Sequence, residues 1–81
     1  MTDREILTEK VKAMKEKYAD VINDLAIKYG KDLGVAYGML LAIPRAILVG
    51  LDPLYVTDIE INYDELVNDY LDYIEACNKV L

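Results

Sequence analysis

The sequence predicts an all-α fold: a small bundle of three main helices, the middle one kinked or broken at Pro44, completed by homo-oligomerisation. Three observations carry that expectation. Two segments repeat their apolar residues at alternating spacings of four and three. Between them lies Leu33 to Leu51, nineteen residues in which Arg45 is the only charge. Tyrosine is the only aromatic residue, so the core must be built from aliphatic side chains, as in packed helices.

The first helix is expected over residues 3 to 29. Thr2 and Glu5 have the spacing of a capping box, in which each side chain satisfies the other's free backbone donor. Leu7, Val11, Met14, Tyr18, Val21 and Leu25 then trace a 3.5-residue seam, with Lys10, Lys12, Lys15, Lys17, Asp20 and Asp24 off it. Gly30 supplies a stop that tolerates left-handed backbone.

In the second helix, Gly34, Gly38, Ala42 and Ala46 recur every fourth residue, a smooth stripe along which another backbone can approach closely. With Leu41 beside them they are the expected oligomer interface. The remaining directions carry large apolar residues, so this helix should be buried nearly all round. An 81-residue chain, which buries only roughly 60% of its unfolded surface, is short for that task. Pro44 removes a backbone donor and crowds the carbonyl of Leu40, and Gly50 with Asp52-Pro53 should end the helix.

Residues 54 to 61 alternate partially, which suggests an extended stretch, although Thr57 to Glu60 also fits a helix cap. Asn62 is a second cap candidate. Leu66, Tyr70, Tyr73, Cys77 and Val80 then carry a third helix from about Tyr63 to the C-terminus. With no repeat and no linker, residues 1 to 81 read as a single helical domain.

Composition narrows the function. Histidine is absent, which removes the commonest general base and the commonest metal ligand. The one cysteine, Cys77, lies on an apolar seam with no base to activate it, so the expectation is a non-enzymatic protein with no cofactor and no metal. The net charge is −6, and residues 51 to 81 carry eight acids against Lys79 alone. Nucleic acid is a poor partner for such a chain, since that affinity comes from cations on phosphates.

Membrane insertion of residues 33–51 is a weaker alternative. The segment barely reaches the ~20 residues of a spanning helix, and a central arginine costs roughly 2.5 to 3.5 kcal/mol. Met1 to Lys10 lacks a secretory apolar core, so the expected location is the cytoplasm, that of the host cell if the chain is viral.

The leading functional expectation is therefore a protein-interaction or structural module. It would work as a helical homo-oligomer with a protein partner, and a viral or phage accessory factor that blocks or sequesters a host component is one form such a module takes. The alternative is an oligomer that sequesters a small anion or nucleotide at Arg45, with Tyr37, Lys31 and Lys28 completing the pocket. A lone guanidinium in apolar surroundings should need a partner. The third helix displays Asp64, Asp69, Asp72 and Tyr73, with Glu65, Tyr63, Tyr70 and Glu75, as a face on which a basic partner could dock. The lysines of the first helix, Lys10, Lys12, Lys15 and Lys17, could answer those acids within one chain or from a second copy. Glu65, Asp69 and Asp72 share a side, but no calcium-type loop accompanies them.

Overall fold

The computed structural model describes all 81 residues and contains four helices and no strand. Thr2 and Glu5 close the expected capping box, each backbone N–H donating to the other's side chain at 3.2 Å. Helix α1 (Asp3–Lys17) starts there. It does not continue to residue 29: Tyr18 leaves helical geometry at φ −107°, ψ 23°, and α2 (Ala19–Tyr29) follows. The hydrogen-bond ladder brackets the break, since Tyr18 N–H still reaches the Met14 carbonyl and Ile22 N–H the Tyr18 carbonyl.

The cause is tertiary. Helix α1 lies on α4 while α2 lies on α3, and one straight helix cannot face both. Tyr18 sits at the change of direction, its ring buried and its hydroxyl donating to Asp69 of α4. No proline or glycine marks the place.

Gly30, at φ 65°, ends α2, and Lys31 N–H closes back onto the Ala26 carbonyl. Asp32 then caps α3 (Leu33–Leu48) by accepting from Val35 N–H at 2.8 Å. This helix passes through Pro44 unbroken. The ring is fully buried, so the same residue that removes a donor also fills the core. After Leu48, Gly50 adopts φ 77°, Gly50 N–H reaches the Ile47 carbonyl and Leu51 N–H the Ala46 carbonyl. Those two bonds form a Schellman stop, which ends the helix three residues before Leu51.

Residues 49 to 62 form an irregular connector strapped across α2. Asp24 accepts from the Thr57 hydroxyl at 2.6 Å and from Asp58 N–H at 2.9 Å. Val56 N–H donates to the Tyr29 hydroxyl, Tyr55 meets the Tyr29 ring edge-on at 5.6 Å, and Lys28 pairs with Asp58. Asn62 caps α4 (Tyr63–Val80), accepting from Glu65 N–H at 3.1 Å.

The core runs through the middle of this arrangement: Met14, Tyr18, Val21, Ile22 and Leu25 from the first two helices, Ala36, Met39, Leu40 and Ile43 from α3, and Leu66 from α4. It is thin. Only 12 of 81 residues are buried, and the molecule is a slab of 37 × 27 × 19 Å. A monomer of 9.2 kDa is expected to expose about 4,900 Å², whereas this chain exposes 5,462 Å².

Candidate functional site: the outer face of α3 and α4

Helix α3 was expected to be buried nearly all round once copies assemble, and within one copy only one side of it is buried. Ala36, Met39, Leu40, Ile43 and Pro44 point into the core. The opposite side carries Gly34, Gly38 and Arg45, all exposed, with Leu41, Ala42 and Ala46 half-buried and Leu48 46% exposed. At helical spacing these positions form one continuous face. No element of the chain packs onto the stripe at its centre, because a side chain added at Gly38 would meet nothing within 4 Å.

Helix α4 extends the face sideways. Between the two helices lies a shallow groove of about 280 Å³, floored by Gly38, Leu41 and Ala42 and walled by Tyr70, Tyr73 and Ile74. The two tyrosine rings stand 6.3 Å apart, and Arg45 closes one end. Arg45 therefore needs no counter-charge: it stands in solvent at the rim and forms no ion pair with the rest of the chain. Within one copy the guanidinium is not buried, because the outer side of α3 is open to solvent.

The four residues grouped as an anion pocket do not converge. Lys28 is engaged with Asp58 at 3.2 Å. Tyr37 lies in a separate cleft, with the Lys15 ammonium 5.2 Å from its ring centroid. Lys31 is exposed in the turn after Gly30, and Arg45 is two turns further along α3 than Tyr37.

The acidic side of α4 is largely spoken for within the chain. Asp69 accepts from Lys17 at 2.8 Å and from the Tyr18 hydroxyl, Glu65 pairs with the same lysine, and Asp72 pairs with Lys10. The lysines of α1 thus answer the acids of α4 in one copy, so Asp69 and Asp72 each already have a cation partner. Burial opposes the charge on Asp69, but hydrogen bonds from Lys17 and Tyr18 outweigh it and hold the carboxyl below its usual range. Burial, reinforced by the hydrogen bond to Asp69, pushes the Tyr18 hydroxyl strongly up. Asp64 is exposed outside this network. Tyr73 faces the groove instead, and burial raises its hydroxyl to about 12.

Cys77 is half-buried beside Tyr73, and nowhere do three or more acidic or thiol side chains converge as metal ligands. The hydroxyl of Tyr37 is buried with no hydrogen-bond partner. Sequence reasoning missed three features: the break at Tyr18, the Asp24 latch on the connector, and the Lys15–Tyr37 cleft. The latch and the cleft join residues far apart in sequence and leave no local signature. The expected pairing of the first helix's lysines with the acids of the last is seen within one copy, where the seven-residue step from Lys10 to Lys17 matches that from Glu65 to Asp72.

Compared with known proteins, the chain matches no family model, no curated protein and no solved structure.

Proposed function

We propose that this chain is a non-enzymatic interaction module that acts as a helical homo-oligomer, with the outer face of α3 and α4 as the contact between copies. The observation that carries this reading is the open stripe at Gly38 on a helix whose outward side holds one charge. Close approach of a second backbone is what such a stripe permits, and one copy leaves it unused. Burying it would also remove surface that this thin slab exposes in excess. No helix is long and apolar enough to cross a membrane.

A leucine at Gly38 tests the proposal, because it would project into open space within one copy but hold two helices apart between copies. Native mass spectrometry at micromolar concentration should show multiples of the 9.2 kDa chain for the parent protein and single chains for Gly38→Leu. The variant should keep its helical circular dichroism and melt no lower as a monomer, since glycine inside a helix costs roughly 0.5 to 1 kcal/mol. A monomeric parent, or an assembly unchanged in the variant, would refute the interface.

A further inference from the structure

The break at Tyr18 leaves a notch. Where α1 gives way to α2, the chain turns past the first turn of α3, and the gap is a half-open cleft of about 380 Å³. That volume is at the lower end of small-molecule sites, which span roughly 300 to 1,000 Å³. Its walls are apolar: Ala19 and Ile22 from α2, Leu33 from α3, and the ring of Tyr37.

Two polar groups stand on it, and neither is used elsewhere in the chain. Lys10 and Lys17 reach across to acids of α4, whereas Lys15 forms no ion pair and hangs over the Tyr37 ring at 5.2 Å. Asn23, on the α2 side, makes no side-chain hydrogen bond within the chain. Lys12, one turn before Lys15, likewise forms no ion pair. The other end of the cleft has the opposite sign. Asp32 caps α3 there, its Oδ1 lying 3.3 Å from where a Cβ on Gly34 would be.

We infer that this cleft binds a small amphipathic carboxylate, an apolar chain or ring ending in one anionic head. The Lys15 ammonium and the Asn23 amide would take the head, as two donors complementary to one carboxylate. The apolar body would lie along Ala19, Ile22 and Leu33. Asp32 repels an anion from the α3 end and so fixes the direction in which the ligand enters. One lysine and one amide suit a single charge, which selects against di- and triphosphates. The site does not depend on self-association, and Lys15 and Asn23 lie off the Gly38 groove.

Decanoate is a suitable probe below its micellar range, titrated into isotope-labelled protein and followed by amide chemical shifts, with decyltrimethylammonium as the same chain bearing the opposite charge. Decanoate should bind saturably at one site per chain, with shifts centred on Ala19, Asn23 and Gly34. The cation should bind more weakly. Lys15→Met keeps the aliphatic stem and removes the charge, so decanoate affinity should fall about tenfold while the fold is retained.

The same titration on Gly38→Leu should be unchanged, which separates this inference from the oligomer interface. The inference is overturned by non-saturating shifts, by equal binding of the cation, by shifts centred on Gly38 and Ala42, or by an unaltered affinity in Lys15→Met.

Discussion

Two tyrosine hydroxyls in the interior of this chain have opposite fates. The hydroxyl of Tyr18 donates to the Asp69 carboxylate, whereas that of Tyr37 is buried with no partner. Removing a hydrogen bond to a charged group costs about 1.5 to 3 kcal/mol, while an unsatisfied buried polar group is itself a cost of about 1 to 3 kcal/mol. Tyr18→Phe should therefore lower the denaturation midpoint, with the loss near or below 1.5 kcal/mol because Asp69 keeps Lys17. Tyr37→Phe should leave the midpoint unchanged or raise it. Urea titrations of the two variants settle the matter, and a destabilised Tyr37→Phe would mean that the hydroxyl has a partner. The sequence places Tyr18 on the core seam with its hydroxyl toward the rim, as found, but neither its Asp69 partner nor the orphaned hydroxyl of Tyr37 was legible there. Arg45 shows the same dependence: it is exposed in one copy, and whether a side chain is buried depends on neighbours the local pattern does not name.

At the scale of elements, local chemistry predicted the ends of helices well and their interiors poorly. The Thr2–Glu5 box, Gly30 and Asn62 act where expected because each satisfies its own helix end within a few residues. The break at Tyr18 was invisible because the seam continues through it without a missing residue, and the decision lies in α1 and α2 having different partners.

The connector is a second such case. Partial alternation suggested an extended stretch, but its course is set by Asp24 on a helix more than 30 residues earlier. Hydrogen bonds from the Thr57 hydroxyl and Asp58 N–H hold the Asp24 carboxyl below its ordinary value, with nearby Lys28 adding to the effect. A depressed folded value means that the latch is fully present above the unfolded carboxyl pKa near ~3.9 and weakens as pH falls through the lower folded one. The Asp58 amide resonance should therefore report a titration with its midpoint below that of a free aspartate. In Asp24→Ala, amide protection at Val56 and Asp58 should collapse at neutral pH, while protection in α1 and α4 persists. Uniform loss across the chain, or no loss at the connector, would show that Asp24 is not the latch.

For the whole molecule, the question is what a thin core implies for stability. A radius of gyration of 12.7 Å exceeds the about 11.7 Å expected for a compact domain of this length, and the surface exceeds its expected value in the same sense. Flattening leaves Leu33, Val35, Leu48 and Val49 of the α3 region each between 46% and 66% exposed. A standard interface covers about 800 Å² per partner, more than the roughly 500 Å² of excess surface here. Association through α3 would thus supply the burial that one copy lacks, and the native state would be linked to protein concentration. The melting temperature of the parent protein should rise steadily as concentration is raised over two decades. That of Gly38→Leu should stay constant, and the two curves should cross: the variant is the more stable form at high dilution, where its helix lacks the glycine, and the less stable one where copies pair. Crossing is the discriminating outcome, because a merely damaged variant would melt lower at every concentration and a chain that works alone would show no concentration dependence.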